Sequence, residues 1–253
     1  MGRDRIWTAA LVVIGDEILS GRTQDKNVAQ VAAWLNAQGI RLAEVRIVPD
    51  VQAAIVEAVN AMRARNDYCF TTGGIGPTHD DITVDAIAAA LGVPVVVHPQ
   101  AKAALEAYYT ARGGEITDAR MRMARVPEGA ELISNRMSGA PGIRVGNLFI
   151  LAGVPHIAAG MLDALTGELE GGLPLLSRTI GCWVAESEVA ELLATTERAH
   201  PGVAIGSYPL FRDGRNGANF VIRATDGHTV DICAGELLER LRAMGREAVD
   251  GGI

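Results

Sequence analysis

What most constrains this chain is the alternation of short apolar runs with helical stretches through its first two-thirds. Thr8 to Ile14 (TAALVVI) is an unbroken apolar run ending in Gly15, the length and make-up of a strand buried on both faces. From Asn27 onward Val28, Val31, Ala32 and Leu35 recur on one helical face, and Gly39 stands where that helix would end. Ile40–Val48 reads as a second strand. Val51–Ala64 reads as a helix with Asp50 at its N-cap, Tyr68–Thr72 as a third strand, Ile82–Leu91 as a helix closed by Gly92, and Val95–His98 as a fourth strand. This rhythm predicts an α/β fold with a parallel sheet covered on both faces.

Residues 99–125 read as helical but Arg-rich, broken at Gly113-Gly114. Strand-like pieces at Glu131–Ile133 and Leu148–Leu151 accompany two turn-rich loops, Ser138–Gly142 and Ala152–Pro155, before a helix from about His156 to Leu165. Thr166–Pro174 holds three glycines and a proline and reads as a linker. Beyond it come a strand at Arg178–Val184, a helix at Glu186–Arg198, and two strands, Val203–Leu210 and Ala218–Ala224, joined by a turn over 213–217. A helix at Val230–Met244 closes the series. The expectation is a large domain over residues 1–168 and a small α+β module over 175–253.

Composition narrows the functional classes. With 23 Lys+Arg against 30 Asp+Glu the chain carries a formal net charge of −7, which gives no electrostatic reason to expect a nucleic-acid partner. No apolar run reaches the roughly 18 residues that a membrane span needs, and the start, Met1 to Arg5, carries no signal-peptide apolar region. Cys69, Cys182 and Cys233 form no CxxC pair. The expectation is a cytoplasmic protein with reduced thiols, no zinc site and no membrane partner.

The most informative stretch is TTGGIGPTHDDIT over 71–83, where a buried strand hands over to a helix. Gly73, Gly74 and Gly76 let the backbone approach a ligand and leave amide N–H groups free to meet anionic oxygens, with a helix N-terminus just beyond. A phosphate or pyrophosphate is the natural guest. No Lys-Ser/Thr follows the glycines, so this is not a P-loop, and His79 stands where a dinucleotide fingerprint needs its third glycine. Asp80 and Asp81 beside such a loop point to a divalent metal such as Mg²⁺ or to a general base. Alternatively one of them caps the helix at Ile82, while His79 is a candidate ligand contact. Gly15, Asp16 and Glu17 end the first strand, followed by Thr23, Asp25 and Asn27, of which Thr23 or Asp25 can serve as a cap. Asp50 is either cap or site residue, and spacing alone favours the cap. Arg120, Arg122 and Arg125 could hold anionic groups or simply be solvated.

TTGGIGPTHDDIT, GDEILSGRTQDKN, SGAPG and AGVP together closely resemble the amino-terminal part of the competence/damage-inducible protein A (CinA) family. That part is grouped with MoaB, MogA and the related domain of MoeA among molybdopterin-binding domains. The resemblance covers essentially the whole chain, with Glu186-Ser187 and Gly206-Ser-Tyr-Pro209 resembling a small KH-type α+β domain. It implies a three-layer α/β/α, mostly parallel sheet with ligand on Thr72, Gly73, Gly74, Ile75, Gly76, Pro77, Thr78 and His79. Further contacts are expected from Gly15, Asp16, Glu17 and Asn27, and from Ser138, Gly139, Ala140, Gly153 and Pro155. Asp81 and Asp50 match the family's two acidic positions near phosphates and metal, which raises Asp50 above its cap reading. Asp81 and Asp80 are the expected metal ligands, and these three aspartates the expected catalytic set. Val51 departs from the pattern, standing where many relatives carry a second Asp. The chain ends at Ile253, so the deamidase activity of the longer family members is not expected.

Three functions follow from the resemblance: a metal-dependent pyrophosphatase acting on ADP-ribose or FAD-like dinucleotides, a molybdopterin-binding or adenylylating protein, and a non-catalytic regulatory module. In each case the partner is a small nucleotide or pterin, with homo-oligomer assembly expected from the family. Gly214-Arg-Asn-Gly217 has the GxxG form of RNA-binding KH domains, but it falls in a hairpin, and the acidic balance argues against RNA.

Overall fold

The computed structural model describes residues 5–253; residues 1–4, on which part of the expectation about the amino-terminal start falls, lie outside the described residues. The chain divides into two compact units after Gly172. In the first, β1 (Trp7–Ile14) is central, sending Ala10, Val12 and Ile14 into one core and Ala9, Leu11 and Val13 into another. A one-turn α1 (Asp16–Leu19) and α2 (Asn27–Ala37) lead to β2 (Ile40–Val48), and α3 (Gln52–Arg63) leads to β3 (Tyr68–Thr72), followed by α4 (Thr83–Leu91). Both β2 and β3 pair parallel with β1, on opposite sides of it. The chain then leaves the sheet through β4 (Val95–Val97), α5 (Pro99–Thr110), α6 (Asp118–Met121), a 3-10 turn at Arg122–Ala124 and β5 (Arg125–Pro127). It returns with β6 (Glu131–Ile133), β7 (Gly142–Val145), β8 (Leu148–Leu151) and α7 (Pro155–Ala164).

The sheet order is β2-β1-β3-β8-β7-β6, with β8 parallel to β3 and β7 antiparallel to both its neighbours. Helix α2 (Val31, Leu35) and α7 (Ala158, Met161, Leu162) cover one face, while α3 (Ile55, Ala58, Val59) and α4 (Val84, Ile87) cover the other. This is the expected three-layer α/β/α arrangement with a mostly parallel sheet. Opposite helical faces follow from the chain growing first to one side of β1 and then to the other, because parallel crossovers are right-handed.

Several expectations change in detail. Val95–His98 does not join the main sheet. It forms β4, which pairs antiparallel with β5, because the place beside β3 is taken by β8, buried at all four residues. The run 99–125 is three helical pieces and the start of a strand rather than one broken helix, and Gly142 opens a strand instead of closing a loop. The presumed linker is not free: the Gly172 N–H donates to Gly39 O, the Gly167 N–H to Gln38 Oε1, and the Tyr68 hydroxyl to Glu170 O.

The second unit runs β9 (Leu176–Cys182), α8 (Glu186–Ala199), β10 (Ala204–Arg212), β11 (Arg215–Ala224), α9 (Gly227–Ala243) and β12 (Ala248–Asp250). Its antiparallel sheet has the order β10-β11-β9-β12, with Ile180, Phe220 and Ile222 packed against Val189, Cys233 and Leu237. The hairpin is tighter than its sequence implies. Asp213 and Gly214 alone form the turn at φ 52° and 75°, the two positive values of a type I′ connection, and Gly217 lies within β11. Among the described residues no helix is long and apolar enough to cross a membrane.

Each unit has its own core, so damage should stay local. Phe70 is fully buried and stacks on Phe149 at 4.9 Å between ring centroids. Phe70→Ala should cost about 3–5 kcal/mol, read in denaturant unfolding as an earlier transition of the first unit. Phe220→Ala should move a separate transition belonging to the second.

Candidate functional site

The chain turns from one side of β1 to the other between β2 and β3, which makes the carboxyl ends of β1 and β3 a topological switch point, the usual ligand position in an open α/β sheet. Four loops meet along this edge: Gly15–Lys26 after β1, Pro49-Asp50 after β2, Gly73–Ile82 after β3 and Ala152–Val154 after β8.

The glycine loop is held by backbone and by one buried side chain. The Gly73 N–H donates to Leu151 O at 3.3 Å, the Thr83 N–H to Gly74 O at 3.0 Å, and the buried Thr83 hydroxyl to Gly73 O at 2.9 Å. Gly73 and Gly74 have φ of 101° and 66°, which side-chain-bearing residues rarely adopt. A Cβ on Gly73 would be driven into Ile14 O, and one on Gly74 into the Thr83 hydroxyl. These glycines are therefore demanded by the scaffold itself. Thr83 closes the TTGGIGPTHDDIT stretch, but its sequence position gave no sign that its hydroxyl braces Gly73.

The aspartates are not caps. Helix α3 begins at Gln52 with Val51 as its N-cap, and α4 begins at Thr83 with Ile82 as its N-cap, neither with a side-chain cap bond. Asp50 instead reaches across to β1's loop, where it accepts the Asp16 N–H at 2.9 Å. Asp81 accepts the Thr78 N–H at 2.7 Å and the Thr78 hydroxyl, which closes the loop on itself and sets its carboxylate beside Gly76. Partial burial pushes the Asp50 carboxyl above its usual range against the pull of the Asp16 N–H, and the charges of Asp16, Glu17 and Asp80 push it further. Asp80 moves the other way, held low by hydrogen-bond donors of its own loop. Asp25 is the residue that does act at a helix start, accepting the Val28 N–H at 2.8 Å.

These mutually repelling oxygen donors fit a hard divalent cation in their chemistry. Among the described residues no three His, Cys, Asp or Glu side chains converge as a metal site. Any cation here would therefore draw further ligands from water and phosphate oxygens, as Mg²⁺ commonly does. His79 is almost fully exposed, with Asp80 4.0 Å from its Nδ1.

A cavity of about 500 Å³ opens over the glycine loop, lined by Gly73–Pro77 and Asp81, by Glu17 and Thr23, by Ser138 and Ala140, and by Ala152–Pro155. Tyr109, Met123, Ile157 and Met161 form its apolar wall. Asp50, Asp16, Asp80, Asn27 and Gly139 stand outside this lining. Asn27 is buried and braces the wall, its Nδ2 donating to Gly153 O at 2.8 Å, and Gln30 Nε2 does the same to Pro155 O at 3.1 Å. Asn135, which sequence reasoning missed, shapes the Ser138–Pro141 loop. Its Nδ2 donates to Ser138 Oγ and Ala140 O, and its Oδ1 accepts the Met137 N–H. An asparagine outside any motif gave no sign of that role.

Thr83→Val keeps shape and helix start while leaving Gly73 O without its buried donor. The expected cost is about 1–3 kcal/mol, read as a lower melting temperature together with weaker ligand binding.

Comparison with known proteins bears on the fold and the family of the chain. Residues 10–171 match the family model described as "Probable molybdopterin binding domain", and residues 174–249 match "FAD synthase, middle domain". A "CinA-like protein" of Citrifermentans bemidjiense is 34% identical over 245 residues, which are 92% of this chain and 58% of that protein. One from Desulfosudis oleivorans is 35% identical over 78% of this chain and 51% of its own length. The chain thus spans little more than half of these CinA-like relatives, against 79% of an Aeropyrum pernix protein that is 33% identical over 214 residues. Among solved structures, the CinA protein of Thermoplasma acidophilum superposes with a TM-score of 0.59 at 29% identity, over 64% of this chain and 99% of that one. With a family model matching residues 10–171 and CinA-like relatives 34–35% identical over most of the chain, the chain belongs to the molybdopterin-binding-domain family and is a CinA-like member of it.

Proposed function

We propose that the cavity over Gly73–Gly76 receives the phosphates of an ADP-containing dinucleotide, and that the chain is a metal-dependent pyrophosphatase acting on ADP-ribose or FAD-like substrates. The observation that carries this reading is the meeting, on one sheet edge, of a glycine loop suited to anions and a set of carboxylates suited to a cation. A phosphate beside Asp81 and Glu17 would otherwise be repelled. A divalent metal would neutralise the diphosphate and polarise its phosphorus–oxygen bonds. Asp81, held by Thr78, would ligate it together with Asp80 or Asp50, and the loop amides would fix the phosphate oxygens. Asp50, the carboxyl with raised proton affinity, is suited to take a proton from the attacking water, while Asp80, shifted the opposite way, stays ionised. Such divergent environments are how neighbouring carboxylates take different roles.

The match to a molybdopterin-binding family supports a second reading, in which the same cavity binds or adenylylates molybdopterin. The deciding experiment offers ADP-ribose, FAD and a molybdopterin-type ligand to the purified chain, with and without divalent metal. Hydrolysis of a dinucleotide that stops with chelator and returns with metal is expected. Tight pterin binding without dinucleotide cleavage would transfer the chain to the second reading, and binding without any turnover would make it a regulatory module. Asp81→Asn should lower turnover by roughly 10²-fold or more with little change in melting temperature, since the amide oxygen can still accept from Thr78.

The raised Asp50 carboxyl gives a prediction with a definite sign. A carboxyl whose folded value lies above its unfolded one stabilises the fold while protonated, and this contribution is lost as pH rises through the folded value. Asp50→Asn, which keeps an acceptor for the Asp16 N–H, should therefore raise the melting temperature of metal-free protein at neutral pH. The gain should vanish as pH falls below the ordinary carboxylate range, and turnover should be substantially lower throughout.

A further inference from the structure

The cavity is too large and too apolar on one side for a bare diphosphate. About 500 Å³ is the scale of a site for a drug-sized molecule. Its lining includes Tyr109, the one aromatic side chain among the described residues that line it. That ring is held in place. The Arg120 guanidinium lies over it at 4.1 Å from the centroid, the Tyr108 ring meets it edge-on at 5.4 Å and 88°, and the side chain packs against the small core of Ala101, Leu105 and Ala124. Met123, from the turn after α6, lines the cavity beside it.

We propose that Tyr109, with Met123, forms the subsite for the adenine ring of the ligand whose phosphates lie on the glycine loop. The proposal rests on the dinucleotide reading above and adds to it the residues that receive the base. An aromatic side chain offers a nucleobase a stacking surface that a sugar phosphate cannot use, and a ring already fixed by Arg120 and Tyr108 loses little freedom when it is covered. The polar loop and the apolar wall then divide the work: the loop binds any phosphate ester, and Tyr109 selects those bearing a planar base.

Binding of AMP, ADP-ribose and ribose 5-phosphate to the full chain separates the two functions. Wild-type protein should bind AMP at least about tenfold more tightly than ribose 5-phosphate, the scale of one base–aromatic stack. Tyr109→Leu should erase most of that difference for AMP and ADP-ribose while leaving ribose 5-phosphate unchanged, and Tyr109→Phe should behave as wild type. Equal weakening of all three ligands would mean that Tyr109 only supports the fold, and unchanged AMP binding would put the base elsewhere. Either result overturns this proposal without touching the phosphate site. Should Tyr109→Leu not fold, the wild-type comparison alone decides, because equal affinities for AMP and ribose 5-phosphate would rule out a base subsite. Failure of every phosphate ligand to bind wild-type protein would overturn the underlying reading as well.

Discussion

The burial of β1 on both faces is the constraint from which the rest of the first unit follows. Ala10, Val12 and Ile14 enter one core, and Ala9, Leu11 and Val13 the other. A strand so placed must have helices on both sides and neighbours at both edges, and satisfying both puts a change of chain direction beside its carboxyl end. The same strand end supplies Ile14 O, against which Gly73 packs so closely that no side chain fits. Sheet topology and loop chemistry are thus two consequences of one packing requirement.

That edge concentrates like charge. Asp16, Glu17 and Asp80 all raise the proton affinity of Asp50, so the fold gives up some stability where its chemistry is proposed to lie. Functional sites often carry such a cost, because the charges that repel one another in the empty site are the ones that hold a cation. Backbone donors limit it: the Asp16 N–H meets Asp50, and the Thr78 N–H meets Asp81. Both carboxylates are oriented by amides, which leaves oxygen lone pairs free for another ligand.

The cavity joins two kinds of surface built by different parts of the chain. The glycine loop belongs to the regular βα alternation, whereas Tyr109 and Met123 come from the 95–127 excursion that leaves the main sheet and pairs β4 with β5. An excursion of this kind can vary its side chains without disturbing the sheet, so it is where ligand selectivity is most economically placed. The second unit has an independent core and matches a different family model.

Much of this was legible in the sequence, because β1, β3, α2 and α4 follow from local patterning: apolar runs of strand length, one-faced helices, and Gly92 where a helix had to stop. The glycine loop was equally plain, since few structural contexts call for three glycines between a buried strand and a helix. Residue spacing alone left Asp50 and Asp81 as caps or site residues. Capping depends on which amide a carboxylate meets, and Asp50 meets that of Asp16, 34 residues earlier in the chain. The placement of Val95–Val97 outside the main sheet was equally hidden, because strand partners are chosen by competition and Leu148–Leu151 buries more completely beside β3. Asn135 and Tyr109 carried no motif at all, and Thr83 closed the TTGGIGPTHDDIT stretch with nothing to mark its hydroxyl as the brace of Gly73. The sequence by itself determined the α/β class, the glycine loop and the family, all of which are written in short-range patterns. Only the tertiary structure decided which carboxylates are free, which strands are neighbours and which aromatic ring faces the cavity, because each depends on contacts between residues far apart in the chain.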